Sequence, residues 1–303
     1  MEKVVVFGGT GFIGRSLARY LTEKGMQPII VGRNRPEDLR GVDFLPWDGV
    51  TVGEWASALE GVRAIVNLAG KTVDCIKTPD NCDLILRSRL DTTRAIGKAL
   101  QTVTQRPPVW VQMSTAHIYG DPPKQVCTEA SAFGYGLAPF VGQAWEEALR
   151  TSLSEGMREV RLRTSFVVGR NGGALKSLKQ ITRLGLGGTA GNGKQGFSWI
   201  HEHDMNEIIY RSITEDEYRG AYIASAPNPV SNREFMQILR KVMRVPIGLP
   251  APALAIRFGA KFLFGTDPEL VLYGRYVRPE RLEQQGFTFA FPKLEEALRD
   301  LIR

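Results

Sequence analysis

Three glycines near the start of the chain have the spacing needed to bind a phosphate. Gly8, Gly11 and Gly14 follow a short apolar run and lead into an amphipathic segment. In such a turn the first glycine permits the tight bend, the second lets the backbone approach a pyrophosphate, and the third lets the helix pack closely on the strand. A phosphate would then lie against the first N–H groups of the helix, at Phe12 and Ile13. The alternative is an ordinary strand-to-helix turn.

The end of the second predicted strand indicates which dinucleotide would bind. A domain that selects NAD carries an Asp or Glu there, which accepts from the ribose hydroxyls and repels a 2′-phosphate. This strand ends in Gly32 and Arg33 instead, with Arg35 as a second cation. A guanidinium forms bidentate, charge-assisted hydrogen bonds with phosphate. The sequence therefore predicts NADP(H) as the cofactor, with a solvated surface arginine as the alternative interpretation of Arg33.

Strand-like and helix-like segments alternate through the first 170 residues, a pattern typical of an α/β fold with a doubly wound parallel sheet of the Rossmann type. The predicted strands lie at residues 3–7, 28–31, 43–44, 64–68, 110–114 and 160–168. The predicted helices lie at residues 11–24, 52–59, 84–102 and 142–154, each with an apolar stripe at helical spacing.

The second part of the chain predicts a smaller, partly intertwined substrate lobe. Eight glycines between residues 172 and 196 predict a loop-rich segment. The elements predicted after it are a helix at 204–212, a strand at 220–224 and helices at 232–241, 253–264 and 294–301. We therefore assign residues 1–170 to the cofactor-binding domain, to which the chain returns at about 203–230, and residues 171–303 to the substrate side.

Composition and charge narrow the class of protein. No apolar run approaches the roughly 20 residues of a membrane span, and no signal peptide precedes the first strand, so we expect a soluble cytoplasmic protein without a membrane partner. The formal charge is +7, from 39 Lys and Arg against 32 Asp and Glu. These basic residues are scattered, which argues against a nucleic-acid partner. The 3 cysteines match no zinc or disulfide pattern, so no metal is predicted.

Further motifs occur in a fixed order along the whole chain. They are residues 67–70 (NLAG), 88–93 (SRLDTT), 114–120 (STAHIYG), 145–146 (WE), 163–170 (RTSFVVGR), 172–174 (GGA), 184–188 (LGLGG), 199–201 (WIH) and 281–287 (RLEQQGF). Together with the glycine turn they resemble the atypical extended short-chain dehydrogenases/reductases, in the NAD-dependent epimerase/dehydratase-like branch called the epimerase family. The resemblance implies a distinctive C-terminal domain at about residues 246–302 and a nucleoside-diphosphate-sugar epimerase-like protein.

The resemblance also adds residues to the cofactor site. The turn of Asn67, Leu68, Ala69 and Gly70 is expected to pass beneath the adenosine and the pyrophosphate. Arg89 is implied as a phosphate ligand, and a solvated helix arginine is the alternative.

The catalytic pair of the superfamily is missing from this chain. Its members use a tyrosine and a lysine four residues later, whose ammonium lowers the pKa of the tyrosine so that it can transfer a proton. With Glu146 as the reference, these positions are Ala138 and Gly142, neither of which can move a proton. Trp145 and Glu146 are interpreted as structural, an indole over the sheet and a carboxylate in a local network.

Three hydroxyl side chains are the candidates for catalysis. Ser114 and Thr115 end the fifth predicted strand, where the superfamily holds a substrate oxygen, and Tyr119 follows four residues after Thr115. His117 could exchange a proton at physiological pH, with a loop histidine of no role as the alternative.

A second segment, around Trp199 and His201, resembles the part of the superfamily that closes over substrate. We therefore expect both residues on the substrate side. The alternative for His201 is a packing histidine with a backbone hydrogen bond.

The motifs leave two hypotheses about function and do not predict the oligomeric state. The first is an NADP(H)-dependent oxidoreductase or epimerase-like enzyme for a small polar substrate, a carbonyl compound or a sugar-nucleotide-like molecule. The second is a non-catalytic NADP(H)-binding regulator whose state a partner reads. The retained hydroxyls favour the enzyme, and the missing Tyr–Lys pair favours the regulator. Analogy between folds does not separate them.

Overall fold

A computed structural model of the chain describes residues 1–122, 125–263 and 267–302. Its strands are β1 (Lys3–Phe7), β2 (Gln27–Gly32), β3 (Asp43–Pro46), β4 (Ala64–Asn67), β5 (Val109–Thr115), β6 (Val126–Cys127), β7 (Arg158–Thr164), β8 (Phe166–Val168), β9 (Gly196–Phe197), β10 (Trp199–His201), β11 (Gly220–Ala224), β12 (Val230–Ser231) and β13 (Tyr276–Val277). Its α-helices are α1 (Phe12–Glu23), α2 (Pro79–Ala99), α3 (Leu137–Ser152), α4 (Ala174–Arg183), α5 (Glu202–Thr214), α6 (Asn232–Met243), α7 (Ala253–Leu263), α8 (Glu269–Leu272), α9 (Glu280–Gln284) and α10 (Leu294–Ile302).

A parallel sheet of seven strands organises the described residues. The strand order is β11-β7-β5-β4-β1-β2-β3, and every neighbouring pair is parallel. The chain builds outward from β1 to β3 and then returns to place β4 on the other side of β1. The carboxyl ends of β1 and β4 therefore flank the point where the strand order reverses, which is where open α/β sheets bind ligands. The predicted doubly wound parallel sheet is confirmed.

Helices cover both faces of the sheet because its central strands are apolar on both sides. Along β1, the side chain of Val6 joins a core that includes Leu17 of α1. The next residue, Phe7, points to the opposite core, which includes Ile96 of α2 and Leu149 of α3. This alternation fixes α1 and α2 on opposite sides of the ligand-binding edge.

The smaller lobe is built from segments that leave the sheet and return to it. β8 pairs with β10, β9 with β12, and β6 with β13. Trp199, Phe235 of α6 and Leu298 of α10 form the centre of a third core. Because β11 belongs to the central sheet but lies between lobe segments in the chain, the lobe is intertwined with the sheet. In the part of the chain that the structure describes, no helix is long and apolar enough to cross a membrane.

One predicted strand is divided in the structure. The segment at residues 160–168 forms β7 and β8, which are separated at Ser165. The N–H of Ser165 donates to the carbonyl of Ala224 at 3.0 Å, and the chain then leaves the central sheet to pair β8 with β10. The prediction of one continuous strand was wrong because its apolar pattern continues across this change of partner.

One helical prediction changes, and one helix was missed. The helix predicted at residues 52–59 is a 3-10 segment over Glu54–Leu59. α4 was not predicted at all, because glycines on both of its sides indicated a loop, although Leu175 and Leu178 recur at helical spacing. The helix predicted at 253–264 is α7, and residue 264 lies outside the described residues.

Candidate cofactor and substrate site

The turn between β1 and α1 lies unusually close to the backbone of the turn that follows β4. Gly8 has a φ of +71°, and its N–H donates to the carbonyl of Val31 at 3.0 Å. A Cβ on Gly8 would lie 2.8 Å from the main-chain nitrogen of Ala69, so no larger residue fits here. A Cβ on Gly14 would overlap the backbone of Gly9, so only a glycine at position 14 lets α1 pack this closely on the turn.

Gly11 is the N-cap of α1 and faces open space. The described structure shows no side-chain cap on α1, and a Cβ on Gly11 would meet only the carbonyl oxygen of Gly8, at 3.3 Å. The first N–H groups of α1, beginning at Phe12 and Ile13, are therefore left for an external acceptor. A pyrophosphate fits this cradle, since the N–H groups and the helix dipole both favour an anion.

The side chain of Phe12 has a packing role beside that cradle. A Cβ on Gly169 or on Gly172 would overlap the Phe12 ring, so the loop after β8 closes directly over it. Ile13 packs against the core on the same side as Leu17. These two residues thus offer their main chain, rather than their side chains, to a ligand.

At the end of β2 the structure places an exposed cation. Gly32 lies against Thr10, whose Cγ2 would be 2.7 Å from a Cβ at that position. Arg33 follows, exposed, and none of the described residues bonds to its guanidinium. Asp38 in the same loop is bonded instead by Arg15 and Arg19 of α1. The end of β2 therefore presents the unpaired positive charge of Arg33, while the carboxylate of Asp38 is already bonded.

The end of β4 is held by a buried amide. Asn67 is fully buried, and its side-chain nitrogen donates to Gln112 Oε1 at 3.1 Å and to Thr93 Oγ1 at 3.3 Å. Its side-chain oxygen accepts the N–H of Ala69 at 3.1 Å. Asn67 therefore shapes the turn through Leu68 and Ala69, the turn that touches Gly8.

Arg89 of α2 lies beside this turn without a carboxylate partner among the described residues. Its Nη1 donates to the carbonyls of Ile85 at 2.8 Å and Lys71 at 3.1 Å, and its guanidinium lies 4.9 Å from the centre of the Trp145 ring. A Cβ on Gly70 would be 3.2 Å from its Cζ. Burial lowers the pKa of Arg89 to about 10, as expected for a cation that lacks a neighbouring anion.

Thr115 ends β5 at the same edge of the sheet. Its Oγ1 accepts the N–H of His117 at 3.1 Å, which leaves its hydroxyl proton free to donate to another oxygen. A Cβ on Gly142, the position of the missing lysine, would lie 3.2 Å from Thr115 Cγ2. The absence of a side chain at Gly142 therefore keeps α3 close to Thr115.

Ser114 and Tyr119 belong to a buried ionic network, here called the Glu146 cluster, which also contains Glu146, Arg161 and Arg163. Ser114 Oγ donates to Glu146 at 2.8 Å. Arg163 donates to Glu146 through Nε at 2.9 Å and Nη2 at 3.0 Å, and to Tyr119 Oη through Nη1 at 2.8 Å. Arg161 adds a further bond to Glu146 at 3.1 Å. The structural interpretation of Glu146 is confirmed, and so is that of Trp145, whose indole donates to Thr93 at 3.2 Å.

The charges of the Glu146 cluster are balanced, because Arg163 pairs with Glu146 and Arg161 pairs also with Glu159 at 3.1 Å. Burial raises the pKa of Glu146, but the hydrogen bonds and charge of Arg163 outweigh it and hold that pKa below its usual value. Burial raises the pKa of Tyr119 to about 12 despite the nearby Arg163. Both hydroxyls of the cluster already have partners, so their contact with substrate stays a prediction.

Trp199 and His201 lie in the core of the smaller lobe. Trp199 is fully buried beside Phe235, and His201 stacks on Phe291 with ring centres 3.9 Å apart. His201 Nδ1 also accepts the N–H of His203 at 3.1 Å, which caps α5. Both are packing residues in this structure, and a contact with substrate stays a prediction.

Known families share this arrangement of elements and motifs. The family described as "NAD dependent epimerase/dehydratase family" matches residues 4–223, and a domain of unknown function, DUF1731, matches residues 251–301. The chain belongs to the NAD dependent epimerase/dehydratase family. The resemblance to its atypical extended short-chain dehydrogenase/reductase branch is confirmed.

Relatives cover almost the whole chain. The chloroplastic homolog of epimerase family protein SDR39U1 from Arabidopsis thaliana is 31% identical over 306 residues, 99% of this chain and 86% of its own. The Homo sapiens epimerase family protein SDR39U1 is 31% identical over 305 residues, 99% of each chain. A crystal structure of human SDR39U1 (isoform 2) with NADPH has a TM-score of 0.88 at 30% identity and covers 99% of this chain and 98% of that chain. The epimerase-family chain described here is thus an NAD(P)-binding protein.

Proposed function

We propose that this epimerase-family protein binds NADP(H) in preference to NAD(H) and acts on a small polar substrate as an oxidoreductase or epimerase-like enzyme. The observation that carries the cofactor choice is the exposed, unpaired guanidinium of Arg33 directly after Gly32. A 2′-phosphate would supply the missing anion, whereas NAD(H) would leave this charge unpaired. The NADPH in the human relative supports the same choice.

Different residues of the cofactor site would bind different groups of the dinucleotide. The N–H groups at the start of α1 would hold the pyrophosphate, with Arg89 adding a positive charge from the opposite side of the crevice. Arg33 would hold the 2′-phosphate. Bound in this way, NADP(H) supplies the donor or acceptor of a hydride.

Thr115 is the residue best placed to hold the reacting oxygen of the substrate. Its hydroxyl proton has no acceptor among the described residues, whereas Ser114 donates its own proton to Glu146 and the hydroxyl oxygen of Tyr119 already accepts from Arg163. A donor aimed at a developing negative charge on oxygen stabilises the transition state. With its pKa of about 12, Tyr119 is a poor base at neutral pH, so a reaction that used it would become faster as the pH rises.

The test is substrate-dependent oxidation of NADPH over a panel of carbonyl compounds and sugar nucleotides. We expect Thr115→Val to lower turnover of any active substrate by about 100-fold without changing NADPH affinity. The matched control is Thr115→Ser, which keeps the hydroxyl and the hydrogen bond to His117. Equal turnover in the valine variant would contradict the role of Thr115.

The non-catalytic regulator is the second candidate. It is favoured by the Glu146 cluster, which bonds two of the three candidate hydroxyls, and by Ala138 and Gly142 at the usual catalytic positions. A panel without any turnover, together with tight NADPH binding, would support this candidate. Capture of partner proteins with and without NADPH would then follow. A cytoplasmic location and a small-molecule substrate remain part of the main proposal.

A further inference from the structure

The loop between β8 and α4 packs its main chain against Phe12, the first residue of α1. Gly169 and Gly172 of this loop face each other in an antiparallel bridge. A Cβ on either glycine would lie within 2.4 Å of the Phe12 ring. Gly173 ends the loop with a φ of +65°, and a Cβ there would lie 3.3 Å from the same ring. The loop thus covers the Phe12 ring directly beside the N–H groups that would bind the pyrophosphate.

A single carboxylate links this loop to α1. Glu202, the first residue of α5, accepts the N–H of Arg170 at 2.8 Å through Oε1. Its Oε2 accepts the hydroxyl of Ser16, in α1, at 2.9 Å. A Cβ on Gly169 would lie 2.8 Å from the Cδ of Glu202, so the carboxylate lies against the main chain of the loop. Each oxygen of Glu202 therefore has a donor on a different element.

Ser16 is bonded from α5 at two points. Asn206, one helical turn after Glu202, is buried, and its Nδ2 donates to Ser16 Oγ at 2.9 Å. Ser16 thus accepts a hydrogen bond from Asn206 and donates one to Glu202. Because Ser16 lies about one helical turn after Phe12, Glu202 bonds both the loop that covers Phe12 and the turn of α1 that Phe12 begins.

We propose that Glu202 is a positioning residue for cofactor binding, which fixes Phe12 and the first N–H groups of α1 in the arrangement that accepts the pyrophosphate. Glu202 acts through the loop and Ser16, since a carboxylate in contact with the phosphates would repel them. A cradle that is already ordered loses less conformational freedom on binding, so the cofactor binds more tightly. This inference rests on the proposed function, because it deepens the account of the same cofactor site.

The first measurement is the NADPH affinity of the full chain by calorimetry. Glu202→Ala removes both acceptors, and we expect the dissociation constant to rise about tenfold. Glu202→Gln keeps an oxygen for the N–H of Arg170 and an amide nitrogen for Ser16 Oγ, so its dissociation constant should stay within about twofold of wild type. Ser16→Ala removes only the α1 end of the link and should raise the dissociation constant about fivefold. Wild-type affinity in Glu202→Ala, or in Ser16→Ala if Glu202→Ala does not fold, overturns the proposal.

Glu234→Ala is the matched control. Glu234 lies in the first turn of α6, as Glu202 does in α5, and accepts the N–H and the hydroxyl of Ser231 at 2.7 and 2.8 Å. The substitution removes the same two kinds of hydrogen bond from the smaller lobe, so the NADPH affinity should stay that of wild type. An equal loss of affinity in Glu234→Ala and Glu202→Ala would show that the effect is not specific to the cradle and would overturn the proposal.

The ligand 2′-AMP separates positioning of the cradle from a general effect on the fold. It carries the 2′-phosphate but no pyrophosphate, so it would contact Arg33 and not the start of α1. Glu202→Ala should therefore leave the affinity for 2′-AMP, measured by ligand-observed NMR, unchanged. Equal weakening of 2′-AMP and NADPH overturns the proposal. Failure of both ligands to bind wild type overturns the proposed function instead.

Discussion

Arginines at the ligand-binding edge of the sheet occur in two contrasting environments. On the glycine-turn side, neither Arg33 nor Arg89 has a carboxylate partner among the described residues. In the Glu146 cluster, Arg163 uses three nitrogens to bond Glu146 and Tyr119. The difference indicates two roles for the same residue type: a charge balanced within the chain holds the fold, and an unbalanced charge awaits an anionic ligand.

The strongest test of the glycine-turn side is Gly11→Val. The new side chain would occupy the space in front of the α1 N–H groups, so we expect no measurable NADPH binding by calorimetry. The fold should survive, because a Cβ on Gly11 meets only the Gly8 carbonyl at 3.3 Å. The matched control is Gly53→Val, another helical N-cap with an extended backbone, where the nearest atom to a Cβ is 3.8 Å away. Retained micromolar affinity in Gly11→Val would refute this placement of the cofactor.

Substitution of Arg163, whose charge is balanced by Glu146, should lower the stability of the fold. Arg163→Met leaves Glu146 buried with only Ser114 and Arg161 as partners, and we expect the free energy of unfolding to fall by about 3–5 kcal/mol. Urea denaturation measures this change. A loss below about 1 kcal/mol would mean that the Glu146 cluster does not hold the fold.

Substitution of Arg89, which has no carboxylate partner among the described residues, should lower the affinity for the cofactor rather than the stability. Arg89→Met keeps most of the packing on Trp145 but loses the charge, so NADPH and NADH should each bind about tenfold or more weakly, equivalent to about 1.5–3 kcal/mol. The free energy of unfolding of the ligand-free protein should change by less than about 1 kcal/mol. If Arg89→Met lost stability and kept its affinity, Arg89 would belong with Arg163 rather than with Arg33.

The smallest expected effect is a pH dependence in the Glu146 cluster. Because the pKa of Glu146 is lower in the folded state than in the unfolded state, its contribution to stability is complete above the unfolded pKa of about 4.3 and is lost as the pH falls through the folded pKa. Glu146→Gln should therefore be less stable than wild type at pH 7, and the difference should shrink below about pH 4. Urea denaturation of both proteins at several pH values measures this. A difference that is the same at pH 7 and pH 3 would show that the charge of Glu146 is not its source.

The cofactor side was largely predictable from sequence because its signals are local. Gly8, Gly11 and Gly14 act within one turn, and the position of Arg33 after the second strand follows from the strand itself. Local patterns also predicted most helices and strands. The break at Ser165 and the helix α4 were missed, because one depends on a change of strand partner and the other lies between glycines.

The substrate side was less predictable because its contacts are long-range. Arg163 meets Glu146 only after β7 and α3 have packed together, and the segment before Arg275 reaches Asp121 from the far end of the chain, where the N–H of Gly274 donates to Asp121. In the sequence Arg275 was one of several scattered basic residues. Only the three-dimensional structure shows that the Nε of Arg275 is buried without a hydrogen-bond partner.

The most direct test of the contrast between balanced and unbalanced arginines is the ratio of the NADH and NADPH dissociation constants, measured by calorimetry in wild type and in Arg33→Ala. The account predicts that wild type binds NADPH at least about tenfold more tightly than NADH. Arg33→Ala should remove this preference by weakening NADPH alone. The control Arg94→Ala removes an exposed arginine of α2 and should keep the preference. Equal dissociation constants for the two cofactors in wild type would contradict the account.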